Sequence, residues 1–594
     1  MFKVCYTKIM SSTLLALYLS ACVPAVEDGT IPSGTPMPPS AESSPPPAPA
    51  PLTDPAQSVG FLESEVETIR FLTRSSWGGS QSDIDALMNS EAEDWIEAEM
   101  SKTPTFTLPA VLELPRDENG DANSGYQASA LYWDHIVNSD DELRQRMAFA
   151  LSQVFVFSDN ADKRRQVRRA YYQDILIRNA FGNYRDLIEE ITYSPAMATW
   201  LTYWQNRKGD PRTGRMPDEN YAREILQLFS IGVVELNMDG TARLDDRGHQ
   251  IETYTNDDVV GLAKVFTGMT GKGETFWRAD EDADYHPLVI WNSHHSLLEK
   301  TFLGTTIPPG TSGEESIDIA LDTIFEHPNV APFIARQLIQ RFTKSNPSPD
   351  YVERVATAFE EGTFIAPNGT VFGSTGRGDL AATLAAVLLD ECLFDEEFST
   401  LEFSTTGKIR EPVLRFMHWV KAFDVQNIDA ENEHRLRTTF DPVTGLGQQP
   451  FRSPSVFNFY RPGYIAPGTR SGEMGLTTPE LQIVNDSSAI GYFNFMTDFA
   501  FDSGAQLDIE NRTYVADYSD ELQLVDDIPA LVDHLDILLT SGRMPEDERA
   551  SIVNVLNTLP VNTSTLERED TDRLQIVQTA VALVLNSPSF AVAW

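Results

Sequence analysis

The densest group of chemically useful side chains lies in one short segment, residues 218–224, which reads Asp-Glu-Asn-Tyr-Ala-Arg-Glu. At helical spacing Asn220, Arg223 and Glu224 share one face, because residues three and four apart are neighbours on a helix. An amide, a guanidinium and a carboxylate together could orient a polar ligand. The alternative, which we favour, is a buried ion-pair network between two helices, since such networks imitate active sites. In that case Arg223→Ala should destabilise the protein strongly.

Two adjacent histidines form a second candidate, in the segment 292–300 that reads Asn-Ser-His-His-Ser-Leu-Leu-Glu-Lys. Imidazole titrates near neutral pH and binds metals readily, so His294 and His295 could act as acid, base or ligand. No His-x-His or His-x-x-x-His pair completes a zinc site, so we predict no metal centre. We favour a loop in which the imidazole is hydrogen-bonded locally.

A third candidate is the segment 452–464, in which prolines and aromatic residues follow no helical period. This composition predicts a rigid loop, and rigid loops place functional groups well. Rings such as Tyr460, beside Arg452 and Arg461, could stack on sugars. They could equally fill a groove between layers of helices, and we favour that interpretation.

Several catalytic signatures are missing from the sequence. It has no Gly-x-Ser-x-Gly elbow, no phosphate-binding Gly-x-x-x-x-Gly-Lys-Ser/Thr loop and no His-Glu-x-x-His motif. The segment 117–125 resembles a calcium-binding loop, but Ala122 stands where that loop needs glycine, so we exclude an EF-hand. From the sequence alone the cofactor is unknown.

The N-terminus carries an export signal. Two lysines and a short apolar run precede Leu-Ser-Ala-Cys, which ends at Cys22 and resembles a bacterial lipobox. We therefore predict a signal peptide over residues 1–21 and attachment of a lipid anchor, including palmitate, to Cys22. A proline-rich, disordered tether over residues 22–58 should follow. Val23 favours the outer membrane within the cell envelope over retention at the inner one.

The charge balance is strongly acidic, with a formal net charge of −43 over 594 residues. Such a surface repels nucleic acid and anionic lipid headgroups, so we predict no nucleic-acid partner. An acidic surface also keeps a protein soluble in a saline habitat, which we regard as the better explanation of the charge.

The elements that position these residues are mostly helices. Apolar residues recur at spacings of three and four along most of residues 59–594, which predicts a mainly α fold, a multi-helix globular array with small β-hairpin insertions. Hairpins are indicated at 238–255 and at 363–374, with a turn at Asn368-Gly369 in the latter. The pattern leaves open whether this body is one unit or two packed subdomains. Helices are predicted at 166–181, 184–206, 218–231, 255–268, 315–343, 349–361, 377–393, 409–423 and 475–500, among other segments.

Several of these segments together resemble a bacterial family catalogued as domain of unknown function 1800. The resemblance covers nearly all of residues 61–594 and is carried by the order of segments such as LRQRMAFALSQVFVFSD, PDENYAREILQLFSIGV, GKIREPVLRFMHWV and SPSVFNFYRPGY. It implies an exported protein, encoded beside an exported partner that resembles the sulfatase and phosphatase superfamily. The family pattern has His-Asp where this chain has His294-His295, which weakens any mechanism that needs that acid.

Two functions remain open from the sequence. The first is an envelope-anchored scaffold that binds an extracellular polymer or a secreted partner protein, because an anchor and a tether accompany an incomplete catalytic set. The second is a hydrolase of envelope or environmental polymers, in which His294 would act with Glu219, Glu224 or Asp257. Binding would then fall to Asn220, Arg223, His295, Arg452 and Tyr460.

Overall fold

The computed structural model describes residues 60–114, 127–159, 166–394, 407–427, 436, 439–501 and 514–593. The predicted signal peptide, Cys22, the tether and the segment 117–125 lie outside the described residues. Within them, helices dominate and strands occur as short antiparallel pairs, so the predicted mainly α fold with small hairpins is confirmed. No helix in this part of the chain is long and apolar enough to cross a membrane.

The first half of the described chain is built from short helices. They are α1 (Glu65–Ser75), α2 (Gln81–Leu87), α3 (Ala92–Ser101), α4 (Leu108–Glu113), α5 (Gln127–Asn138), α6 (Glu142–Ser152), α7 (Gln166–Arg178), α8 (Tyr184–Thr192), α9 (Pro195–Trp200), α10 (Asn220–Glu224) and α11 (Asn256–Ala263).

The second half contains further helices, several of which are longer and pack against one another. They are α12 (Gly313–Phe325), α13 (Val330–Phe342), α14 (Pro349–Glu361), α15 (Leu380–Leu388), α16 (Pro412–Ala422), α17 (Arg470–Glu473), α18 (Asp486–Ala500), α19 (Ser519–Leu524), α20 (Ile528–Thr540), α21 (Glu546–Leu556) and α22 (Leu566–Leu585). The second half of α22 is buried, whereas Leu566 at its start is 79% exposed.

Among the described residues, ten short strands pair as five antiparallel sheets: β1 (Met269–Thr270) with β2 (Val289–Ile290), β3 (Lys300–Phe302) with β4 (Thr305–Ile307), β5 (Phe364–Ile365) with β6 (Val371–Phe372), β7 (Lys408–Ile409) with β10 (Val592–Ala593), and β8 (Gln426–Asn427) with β9 (Tyr514–Val515). The hairpin predicted at 363–374 is the β5–β6 pair, and Gly369 takes the left-handed φ of +92° that its turn requires. The hairpin predicted at 238–255 consists of isolated bridges, such as Leu244 to Gln250.

The helix predicted over 218–231 changes type along its length. Its first turn is α10, and the next six residues, Ile225–Ser230, form a π-helix. π-helical turns are rare and occur often at functional sites. The same apolar residues, including Ile225 and Phe229, stay buried in either geometry, so their spacing alone did not reveal the change.

One hydrophobic cluster joins the first and the last helices of the described chain. Ile69 of α1, Leu176 of α7, Leu384 of α15 and Val577 of α22 all belong to it and are almost completely buried. Burial of this apolar area is the main stabilising contribution to the fold.

Candidate functional site

A cleft of about 670 Å³ opens between the loop that follows α9 and the segment 277–284. Residues from α7 and α9 form the rest of its wall. Its volume is that of a typical small-molecule site, about 300–1,000 Å³. The single helix predicted over 184–206 is instead two helices, α8 and α9, and the irregular loop after Trp200 supplies residues that line the cleft.

Two tryptophans line this cleft. Trp204 packs over Gly271, where an added Cβ would lie 2.5 Å from the Cη2 atom of the ring. The Arg168 guanidinium lies 5.1 Å from the centroid of the same ring, within cation–π distance. Trp277 belongs to the segment 277–284 that also lines the cleft, and it is 56% exposed. One ring is therefore held firmly, while the other is open to a ligand.

The loop between α9 and α10 holds two residues in the left-handed backbone region. Thr202 has φ of +63° and Gln205 has φ of +58°. This conformation is an outlier for a β-branched threonine, and such strain costs about 1–3 kcal/mol per residue. Both side chains line the cleft. Backbone strain of this kind persists where the surrounding structure requires it, and it clusters at ligand sites.

Long-range hydrogen bonds fix this strained loop. The Gln205 backbone N–H donates to the Met269 carbonyl at 2.8 Å, and its side-chain amide donates to the Phe276 carbonyl at 2.9 Å. The buried Asn206 side chain accepts from the Asp218 backbone N–H at 2.9 Å. The loop is thus tied both to the β1 segment and to the start of α10.

Arg168 of α7 fixes the floor of the cleft. Its guanidinium pairs with Asp284 at 2.6 Å and donates to the Thr199 hydroxyl at 2.5 Å. Its side chain is only 7% exposed, so the pair is well shielded from solvent. Asp280 and Arg278 also line the cleft, which therefore offers carboxylate, guanidinium and hydroxyl groups beside two aromatic faces.

The segment 218–224 adjoins the cleft through Thr202. The Thr202 hydroxyl donates to an Asp218 carboxylate oxygen at 3.1 Å, and the Asn220 amide reaches the same hydroxyl at 3.5 Å. These contacts place the start of α10 behind the cleft wall. Asn220 therefore supports a residue that lines the cleft.

The expectation that Arg223 belongs to a buried network is wrong. Its side chain is 40% exposed, and it lies 3.4 Å from Glu219, the residue before α10, and 3.5 Å from Asn256. An exposed pair of this kind contributes less than about 1 kcal/mol, so a large loss of stability in Arg223→Ala is no longer expected. Glu224 is buried, its Oε2 accepts no hydrogen bond from the described residues, and burial raises the pKa of its carboxyl group.

The two adjacent histidines lie in different environments. His295 is fully buried, and its Nδ1 donates to the Thr267 carbonyl at 2.8 Å. The His294 ring stacks on Phe276 with centroids 4.0 Å apart, and its edge faces Trp277 at 5.8 Å. Burial and three nearby cations lower the pKa of His294. His294 therefore lies beside the cleft, whereas His295 is built into the loop.

The structure does not join His294 to the proposed carboxylates. Among the described residues, no hydrogen bond or ion pair links it to Glu219, Glu224 or Asp257. Asp257 is exposed in the first turn of α11. Among all the residues that the structure describes, no group of three or more His, Cys, Asp or Glu residues could hold a metal ion.

Arg452 and Tyr460 lie away from the cleft. Arg452 pairs with Asp159 at 3.2 Å and stacks over Phe440, and Tyr460 is 1% exposed. The Tyr460 hydroxyl donates to Glu411 at 2.5 Å. At Tyr460 the loop packs into the protein, whereas Phe457 of the same loop is 38% exposed and lies under the Arg461 guanidinium.

Glu411 is a buried acceptor that the sequence did not single out. Besides Tyr460, it accepts from the Gln153 amide at 2.9 and 2.8 Å, and from the Gln448 amide. Nearby, the buried Arg146 guanidinium donates to the Arg341 carbonyl at 2.6 Å, and burial lowers its pKa to about 10 although Glu411 opposes the shift. Residues of several separate sequence motifs thus meet in one polar network inside the core.

Comparisons with known proteins agree with the resemblance seen in the sequence. A family model described as "Protein of unknown function (DUF1800)" matches residues 70–592. No curated protein and no solved structure matches the chain. Since the matched region spans most of the sequence, the chain belongs to the DUF1800 family.

Proposed function

We propose that this protein binds a carbohydrate polymer in the cleft between the α9–α10 loop and the segment 277–284. The observation that carries the proposal is the pair Trp204 and Trp277, one fixed and one exposed, on the walls of a single cleft. Two strained residues in the same wall, Thr202 and Gln205, support a ligand-binding role.

The chemistry of the cleft suits sugars. A pyranose ring presents a face of C–H groups, which pack on the negative face of an indole, and a rim of hydroxyl groups. Asp280, Arg278 and Thr202 supply charged and neutral hydrogen-bonding partners for such hydroxyls. A cleft with an apolar face beside polar groups fits a sugar better than it fits a purely hydrophobic ligand.

The binding protein would act in the cell envelope. A lipid anchor at Cys22 and a tether over 22–58 would hold the cleft away from the membrane, where an extracellular polymer is accessible. In this role the chain is a scaffold, and a secreted enzyme such as the co-encoded protein resembling the sulfatase and phosphatase superfamily would act on the captured polymer.

A glycan array tests the proposal with a matched pair of variants. Trp277→Ala removes the exposed ring, and we expect affinity for the bound oligosaccharide to fall at least tenfold, which corresponds to about 1.4 kcal/mol. Leu244→Ala is the control, because Leu244 and Trp277 are equally exposed, at 56%. Equal loss of binding in both variants, or no loss in either, would contradict the proposal.

A second candidate function is hydrolysis of the same polymer. Asp280 and Asp284 both line the cleft, and many glycosidases use a pair of carboxylates on either side of the scissile bond. Asp284 is held in place by its ion pair with Arg168, at 2.6 Å. Release of new reducing ends by the wild type, abolished in Asp280→Asn with binding retained, would establish this function in place of the scaffold.

A further inference from the structure

A cluster of basic groups adjoins the cleft at Trp277. We call Arg207, Lys208, Arg215 and His294 the basic rim. The Lys208 backbone N–H donates to the His294 carbonyl at 2.9 Å, and Arg215 donates to the Lys208 carbonyl at 3.2 and 3.1 Å. The backbone of this loop therefore brings all four groups to one place.

The basic rim is unusual in a chain with a net charge of −43. Within the described residues, no carboxylate forms an ion pair with Arg207, Lys208 or Arg215. The nearest acidic residue in the loop, Asp210, lies 3.5 Å from Arg212 instead. Burial and these three cations lower the pKa of His294, which favours its neutral form, and the three cations repel one another. A negative group from outside the chain would relieve this repulsion.

The rim and the cleft share Trp277. The Arg207 guanidinium lies 5.0 Å from the centroid of that ring, and His294 faces its edge. Arg207 covers part of one face of the ring, and a polymer bound at the exposed part of Trp277 would lie beside it. The acidic residues of the cleft, Asp280 and Asp284, lie on the segment 280–284, and Asp284 is neutralised by Arg168.

We propose that the basic rim binds the carboxylate or sulfate groups of an anionic polysaccharide. This inference rests on the proposed cleft and names the class of polymer that the cleft selects. Because the long-range field of the chain repels polyanions, a local cluster of cations is what would make such a ligand bind. Guanidinium and ammonium groups form strong charge-assisted hydrogen bonds to these anions.

Two pairs of polymers test the basic rim: polygalacturonate with its methyl ester, and dextran sulfate with dextran. We expect the full-length protein to bind at least one charged polymer tenfold or more tightly than its neutral form. The affinity for the charged polymer should fall as NaCl is raised from about 50 to about 500 mM, because salt screens the attraction between the charges. The pair that shows the preference distinguishes carboxylate from sulfate.

Variants of equal charge supply the control. The double change Arg207→Gln and Lys208→Gln should remove the preference for the charged polymer. Arg243→Gln with Arg247→Gln, two cations on the separate 238–255 hairpin, should retain it.

The outcomes separate the two proposals. Equal affinity for charged and neutral polymers, lost in Trp277→Ala, would overturn the basic rim and leave the cleft in place. Charge preference kept in the Arg207/Lys208 variant would also overturn the rim. If none of the four polymers binds, the rim is overturned and the cleft is judged by the glycan array alone.

Discussion

Single side chains in this protein hold separate loops to one another through buried polar contacts. Glu411 accepts hydrogen bonds from Gln153, Gln448 and Tyr460, which come from three distant parts of the sequence. Around the cleft, Asn206 and Arg168 have the same role for the α9–α10 loop. Buried polar groups of this kind stabilise a structure only when each has its partner.

The Glu411 network gives the first prediction. Glu411→Ala leaves several buried donors without an acceptor and should lower the free energy of unfolding by about 3–5 kcal/mol. Tyr460→Phe removes one donor and should cost only about 1–2 kcal/mol. Denaturant unfolding of the purified variants measures both. If the two variants lose the same free energy, Glu411 is not the centre of this network.

Asp174 gives a prediction on pH. Its carboxylate accepts from the backbone N–H groups of Thr107 at 2.7 Å and of Leu108, and burial raises its pKa to about 6. The unfolded value is about 3.9, so the folded state holds this proton more tightly. The resulting stability is complete below about pH 4 and is lost as the pH rises through 6.

Asp174→Asn has no such proton to lose. Between pH 4 and pH 7 the wild type should lose up to about 2–3 kcal/mol more of its unfolding free energy than this variant. Denaturant unfolding measured across that range tests the difference, and parallel pH curves for the two proteins would contradict it.

At the scale of elements, the close packing of α11 on β3 depends on a glycine. A Cβ at Gly261 would lie 1.8 Å from the Thr301 carbonyl oxygen, so the helix and strand could not keep their distance. Helix α11 leads into the segment 266–269, which holds the strained loop of the cleft through hydrogen bonds to Asn206 and Gln205. This contact therefore supports the cleft although it lies outside it.

Gly261→Ala should destabilise the fold by about 1–3 kcal/mol, the usual cost of overpacking a tight contact. Gly463→Ala is the control, because an added Cβ there has no heavy atom within 4 Å. Thermal unfolding followed by circular dichroism compares the two variants. A Gly261→Ala protein that melts together with the control would show that the contact is not tight.

The sequence predicted where helices and turns lie better than it predicted where a helix is broken. The helix over 349–361 and the turn at Asn368-Gly369 follow from local spacing and turn chemistry, and both are present. The helix predicted over 475–500 is broken because the Asn485 side chain accepts from the backbone N–H groups of Ser487 and Ser488 and starts α18 there. Such a cap depends on one side chain rather than on a period.

The cleft was harder to predict than the helices. His294 and Asn220 were identified from their chemistry, and both lie near it. Trp204 and Trp277 were not, because they are distant in sequence and reach the same cleft through long-range contacts such as that from the Gln205 side chain to the Phe276 carbonyl. The signal that could have identified Trp277 is a tryptophan in a polar, glycine-containing segment, here 271–278.

At the scale of the whole molecule, the proposals combine an anchor, a tether and a folded body with a cleft. The acidic surface opposes contact with polyanions over long range, and the basic rim reverses this locally. The predicted anchor would keep the protein at the envelope without a membrane-spanning helix.

The anchor is tested by metabolic labelling with palmitate. The wild type should incorporate the label and fractionate with the outer membrane, whereas Cys22→Ser should do neither. Cys5→Ser is the matched control, because it changes a cysteine within the predicted signal without touching the lipobox. Label retained by the Cys22→Ser protein would refute lipidation at that residue.

We propose above all that the cleft between the α9–α10 loop and the segment 277–284 binds carbohydrate. Hydrogen–deuterium exchange, with and without the best-bound oligosaccharide of the glycan array, tests this most directly. We predict slower exchange in residues 198–208 and 277–284, and no such protection in Trp277→Ala. Protection confined to another region, such as the loop at 452–464, or protection unchanged in the variant, would contradict the claim.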